Sequence, residues 1–133
     1  MSGNTTEGKK GVTIFGTGNL GLSLLKSLMD RDVPVSNKHF GIDESELLVN
    51  EQNMEIITSV NFDSSDLELF REKVSCVIVT VTGAMLEKEI DFLLRLQVPL
   101  IIMSTKFDEE LIKSKIADSD ISVMFLPNGL LAI

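Results

Sequence analysis

The sequence predicts an α/β domain with a doubly wound parallel sheet, helices lying on both of its faces. Three observations carry this. From Gly11 onward, short apolar runs rich in β-branched residues alternate with segments of helical periodicity. A glycine-rich turn, Gly16-Thr17-Gly18-Asn19-Leu20-Gly21, joins the first such run to the first such segment. The run Cys76-Val77-Ile78-Val79-Thr80-Val81 is almost wholly apolar or β-branched, the composition of a central parallel strand covered on both sides.

Residues 1–10 are polar and read as a disordered leader. Val12 to Phe15 forms the first strand and ends on Gly16. Leu20, Leu24, Leu25 and Leu28 recur at helical spacing and give a helix over Asn19 to Asp30, broken by Arg31-Asp32-Val33-Pro34. Lys38 to Ile42 is a second strand, weakened by Lys38 and His39. Asp43-Glu44-Ser45-Glu46 has the form of a capping box, so a short helix is expected to about Asn50. Glu55 to Val60 is a third strand. Asn61-Phe62-Asp63-Ser64 then turns into a helix through Leu67, Phe70 and Lys73. The Cys76–Val81 run is strand four, followed by a helix from Ala84 to Leu96. Leu100 to Met103, Asp108 to Ala117 and Ile121 to Leu126 read as strand, helix and strand. Six parallel strands fit the spatial order 3-2-1-4-5-6.

A chain of 133 residues is one domain in size, here expected over residues 11–133. With no Trp and no Tyr, the core falls to Phe, Leu, Ile, Val and Met. The net charge of −8 argues against nucleic acid or an anionic membrane as partner. The apolar runs are too short to span a bilayer. Cys76 is the single cysteine, which excludes an intrachain disulfide and a cysteine-based metal site. The default compartment is the cytoplasm.

The turn Gly16-Thr17-Gly18-Asn19-Leu20-Gly21 is a complete GxGxxG, and its meaning comes from lying between a strand and a helix. The first glycine permits the tight turn, the second lets backbone approach a pyrophosphate, and the third lets the helix pack on the strand. The helix N-terminus presents free N–H groups and a positive dipole end to the phosphates. The cofactor is therefore NAD or NADP, bound by a Rossmann-type fold. An acid is expected about twenty residues on, to bind the adenosine ribose. Asp43 stands there. Its two open roles are the ribose contact and the cap of the following helix. No Arg lies near it to take a 2′-phosphate, and Lys38 is the only nearby cation, which favours NAD(H) over NADP(H).

With these pieces in place, the chain resembles the N-terminal domain of pyrroline-5-carboxylate reductase. The resemblance rests on Phe15 to Gly21, on the turn Thr58-Ser59-Val60-Asn61, and on Val123 to Asn128 followed by Leu131-Ala132-Ile133. It implies hydride transfer from the nicotinamide to a C=N bond. Carried across position by position, the family's cofactor contacts fall on Gly16 to Leu20, Asp43, Asn61, Thr80-Val81-Thr82-Gly83 and Met103-Ser104-Thr105. Asn61 has a second open role, as a turn residue that caps the next helix. The chain departs from the family where Thr82-Gly83 replaces Lys-Pro, where Ser104-Thr105-Lys106 replaces a turn of small residues, and where Asp43 replaces a 2′-phosphate ligand. Gly129-Leu130 likewise replaces Thr-Pro. Dihydrodipicolinate reductase is a second, weaker resemblance, through Phe107 to Glu110 and Leu126 to Asn128. It shares the domain type and the cofactor.

Both families place substrate binding in a further domain, which is expected to be absent here. No catalytic or metal-ligating residue is identified. His39, the sole histidine, reads as a sheet residue, and Cys76 as a core residue. The expected partners are the dinucleotide and, through the apolar end Leu130-Leu131-Ala132-Ile133, weakly a second copy of the chain. A non-catalytic module that senses or sequesters dinucleotide is the alternative function.

Overall fold

Gly11–Phe15 forms β1, and all of its residues are buried. It lies at the centre of a seven-stranded sheet in a computed structural model that describes residues 9–126. The other elements are α1 (Asn19–Asp30), β2 (Lys38–Phe40), β3 (Ser45–Val49), β4 (Gln52–Ile57), α2 (Leu67–Lys73), β5 (Val74–Val79), α3 (Gly83–Arg95), β6 (Leu100–Ile102), α4 (Glu109–Ala117) and β7 (Val123–Phe125). A 3-10 turn, Ser64–Asp66, leads into α2. The leader expected over residues 1–10 lies, apart from Lys9 and Lys10, outside the described residues. So do Pro127-Asn128 and the apolar end Leu130 to Ile133.

The strand order is β3-β4-β2-β1-β5-β6-β7. Without β3 this is the expected 3-2-1-4-5-6, and every pairing in it is parallel. Alternation along the strands separates two cores. Val12, Ile14 and Ile78 face the side where Leu24, Leu25 and Leu28 of α1 pack. Phe15, Val77 and Val79 face the side covered by Phe70, Leu86, Ile90, Leu93 and Ile112 from α2, α3 and α4. Five phenylalanines (Phe15, Phe40, Phe62, Phe70 and Phe92) form one aromatic cluster on this second side, with centroids 5.4–6.1 Å apart and most pairs edge-to-face. That cluster does the work of the missing Trp and Tyr.

The helix expected after Asp43 is not formed. Residues Ser45–Val49 are instead the edge strand β3, antiparallel to β4. Asn50 and Glu51, with φ of 48° and 67°, make the two-residue turn between them. Two successive left-handed residues are what a tight hairpin requires. The Asn50 side chain donates to Asp30 Oδ1 at 2.7 Å, which fixes the turn against the end of α1. Met54 and Ile56 of β4 are buried, while Leu47 and Val49 of β3 pack against the α1-side core, so the hairpin extends the sheet edge where a helix is expected. Asp43 therefore caps nothing. Capping before α2 falls to Asp63, whose carboxylate accepts from Ser65 N at 2.9 Å, and not to Asn61. Strand four opens at Val74, two residues before the expected Cys76, and Cys76 is half-buried. Burial pushes its thiol pKa up, against a smaller opposing effect of a hydrogen bond with Ser75.

Candidate functional site

At the C-terminal ends of β1, β2, β4 and β5 the chain opens a cleft of about 760 Å³. This is the edge where α/β sheets of this order hold their ligands. A second cavity of about 610 Å³ sits at the opposite end of the sheet, beside Pro34, Leu69 and Lys73. It lies away from the glycine loop, so the first cleft is the candidate site.

The loop's three glycines have separate duties. Gly16 has φ of +121°, a conformation that L side chains rarely adopt. Its N–H donates to Phe40 O at 2.9 Å, and its carbonyl accepts from Thr80 Oγ1 at 2.8 Å. The turn is thereby clamped between the ends of β2 and β5. A Cβ on Gly21 would strike the Gly16 carbonyl, so α1 can approach β1 only without one. Gly18 precedes α1 with an ordinary extended backbone, φ −75° and ψ −167°, and a Cβ there would meet nothing within 4 Å. Its bareness serves neither conformation nor internal packing; it leaves the approach to the helix end open. Among the described residues no side chain caps α1, and its first turn carries no acid. Gly18 O accepts from Leu22 N, but the N–H groups of Gly18, Asn19, Leu20 and Gly21 are donated to no acceptor among the described residues. Free donors at a positive dipole end are the arrangement in which helix N-termini can receive anions.

Gly41, at the exit of β2, was not singled out from the sequence. A Cβ there would collide with Thr17 Oγ1 and with Ile56 Cγ2 at 2.7 Å, so this glycine seats the loop against the sheet. Its sequence signal is a lone glycine inside the expected strand Lys38 to Ile42.

The structure brings Gly16, Thr17, Gly18, Asn19, Leu20, Gly21, Asp43, Val81 and Thr82 together around one cleft. Asp43 lies in the exposed bend between β2 and β3. Thr82 caps α3, accepting from Met85 N at 3.2 Å. Asn61, Ser104 and Thr105 do not line the cleft. Asn61 sits in the turn after β4, its N–H donating to Thr58 O and Thr58 Oγ1, both at 3.2 Å. Ser104 is buried beyond β6, and its Oγ has no partner among the described residues. The carbonyls of Thr105 and Lys106 press on Gly83, at the start of α3, where a side chain would not fit.

The charges differ from expectation in one respect. Lys38 is not near Asp43; it lines the opposite cavity and pairs with Glu55 at 3.7 Å. Among the described residues, Lys88 of α3 is the cation that lines the cleft, together with the acids Asp43 and Glu89. His39 is fully buried in the sheet and does not reach the cleft. Among the described residues no group of His, Cys, Asp and Glu could hold a metal ion, and no helix is long and apolar enough to cross a membrane.

No protein-family model matches the chain, and no curated protein does. Solved structures match it in fold. Aspartate semialdehyde dehydrogenase II from Vibrio cholerae aligns over 87% of this chain and 38% of its own, with TM-score 0.60 and 19% identity. RSP, a Rex-family repressor, aligns over 96% of this chain and 58% of its own, with TM-score 0.65 and 13% identity. RSP has also been solved with β-NADH, and with β-NAD+ and operator DNA. A probable aspartate-semialdehyde dehydrogenase from Pseudomonas aeruginosa aligns over 90% of this chain and 38% of its own, with TM-score 0.61 and 12% identity. The fold is Rossmann-like. The chain spans between 38% and 58% of the length of these solved proteins.

Proposed function

We propose that this domain binds NAD(H) or NADP(H), with the pyrophosphate on the free amides of Gly18 to Gly21 and the adenosine ribose on Asp43. The observation that carries this is the uncapped N-terminus of α1, with Gly18 bare before it, opening into a cleft of about 760 Å³. The dinucleotide named in the RSP structures supports the same ligand class. Val81 and Thr82 would flank the bound cofactor beyond the pyrophosphate. Asn61, Ser104 and Thr105, outside the cleft, would reach it only after a rearrangement of their loops. When bound, the cofactor supplies or accepts hydride; the chain's residues bind and orient it.

The resemblance to pyrroline-5-carboxylate reductase supports a finer reading: the cofactor domain of an oxidoreductase acting on a C=N bond, working in the cytoplasm. A module that binds dinucleotide without turnover is the second reading. It is favoured by the placement of His39 and Cys76, which keeps both away from the cleft. In an NADH-oxidation assay with pyrroline-5-carboxylate neither reading expects turnover from this chain alone, since the first places substrate binding in a further domain; steady turnover would mean a complete active site and would overturn the binding-module reading. The net charge of −8 speaks against a nucleic-acid partner.

The cleft holds two acids and one lysine, so a 2′-phosphate beside Asp43 meets a like charge. NADH is expected to bind more tightly than NADPH by about tenfold, or about 1.4 kcal/mol. Asp43→Ser should narrow the gap by weakening NADH and relieving NADPH. Calorimetric titration of both proteins with both cofactors checks this, and a clear NADPH preference in the unmodified chain would refute it.

A further inference from the structure

The far wall of the cleft contains a carboxylate that the pyrophosphate and ribose contacts leave unused. Glu89 lies on α3, half-buried and lining the cleft. Ser59, in the turn after β4, donates its hydroxyl to both Glu89 oxygens, at 2.8 and 3.1 Å. Glu89 makes no ion pair among the described residues, although Lys88 lines the same cleft. An ionised carboxyl offers about four lone-pair sites, and one hydroxyl proton leaves most of them free. A partly desolvated carboxylate held in a fixed orientation is thus an acceptor in want of a donor.

The topology says which part of a dinucleotide comes there. With the pyrophosphate on the end of α1 and a ribose on Asp43 after β2, the adjoining base extends away from β1. The next strand on that side is β4. Its exit turn carries Ser59 and the apolar Val60, which is 89% exposed, while Ile42 beside Asp43 is 84% exposed. Two exposed aliphatic side chains lining the same cleft as a hydrogen-bonding carboxylate suit a flat heterocycle with a donor on its edge.

We infer that Glu89, oriented by Ser59, selects adenine by accepting a hydrogen bond from its exocyclic amine. A base with a carbonyl at that position would set oxygen against oxygen. This specificity rests on the dinucleotide reading above, and it adds a residue that neither the glycine motif nor the family resemblance points to.

The test compares NADH with its deaminated counterpart, reduced nicotinamide hypoxanthine dinucleotide, by calorimetry on the intact chain. The unmodified protein is expected to prefer NADH by at least about tenfold. Glu89→Gln, whose amide can both donate and accept, should bring the two within about twofold while the melting temperature stays close to that of the unmodified chain. Ser59→Ala, which frees the carboxylate to rotate, should shrink the preference without erasing it. Equal affinity of the unmodified protein for the two ligands overturns the adenine assignment and leaves dinucleotide binding standing; this measurement needs no variant. An undiminished preference in Glu89→Gln overturns the role of Glu89. Failure of both ligands to bind overturns the dinucleotide reading and this inference with it.

Discussion

Gly18→Val is expected to lower dinucleotide affinity by at least about 100-fold, some 2.7 kcal/mol, while the domain stays folded. The backbone at Gly18 is extended, within reach of any residue, and a Cβ there meets no atom within 4 Å. The change costs the protein only the difference between a good and a poor helix-capping residue, up to about 1 kcal/mol. Outside the protein the same methyl groups stand over the free amides of α1, where a pyrophosphate has to approach to hydrogen-bonding distance. Gly21→Ala should do the reverse. Its Cβ drives into the Gly16 carbonyl, and the cost falls on the packing of α1 against β1. Such overpacking destabilises by about 1–3 kcal/mol. Urea denaturation beside calorimetric titration distinguishes the two: Gly18→Val shifts binding more than the midpoint, Gly21→Ala the midpoint itself. Undiminished NADH binding by Gly18→Val would remove the anion site from the loop, and with it the basis of the proposed function.

The parts of this molecule that were legible in the sequence are those where local chemistry and tertiary context agree. The Val12–Phe15 run, the glycine turn and the leucine-spaced helix after it are consecutive and mutually supporting, and they lie at the centre of the sheet where burial enforces the pattern. The segment after Asp43 was misleading for a physical reason. Ser45 to Val49 is an edge strand with one face open to solvent; Leu48 is 64% exposed, so alternation of apolar and polar residues is not enforced. Its acid-x-x-Glu opening matches a capping box by composition alone. The contrary signal was Asn50, a residue tolerant of the left-handed conformation, but Glu51 takes the second left-handed place where a hairpin more often shows glycine.

Within the site, sequence reasoning found the residues that act through backbone and missed those that act through tertiary placement. Gly41 seats the loop, and Glu89 and Ser59 meet across the cleft, yet each is separated from its partner by some distance along the chain. Thr80, which the resemblance places among the cofactor contacts, also clamps the loop through the Gly16 carbonyl. A helix such as α3 shows an exposed-looking Glu in any amphipathic pattern. Only the sheet order, which brings the exit of β4 alongside α3, reveals that this one faces a cavity.

The largest expected effect on stability belongs to His39. Between β1 and β2 the regular ladder is interrupted: Ser36 N donates to Val12 O and Gly16 N to Phe40 O, both at 2.9 Å. Between those two bonds, the Ile14 N–H donates not to a carbonyl but to His39 Nδ1, at 2.9 Å. The ring must be neutral to accept it, so the proton sits on Nε2, which has no partner among the described residues. Burial of the ring lowers the His39 pKa from 6.5 to about 4. The folded pKa is thus depressed below the unfolded one, and over that interval the unfolded chain binds more protons. The stabilisation is complete above pH 6.5 and is lost as the pH falls from 6.5 towards 4. At pH 5 the loss from this one group should be about 2 kcal/mol relative to pH 8. His39→Gln keeps an acceptor for Ile14 N and removes the titration, so its stability should change less over the same interval by about that amount. His39→Leu removes the acceptor and orphans a buried N–H, and should cost about 1–3 kcal/mol relative to the Gln variant at pH 8 and pH 5 alike, since neither side chain titrates. Urea midpoints of the three proteins at the two pH values decide the matter, since every other titratable group is common to all three. A unmodified chain and a Gln variant with the same pH dependence would mean that His39 is not held neutral by the sheet.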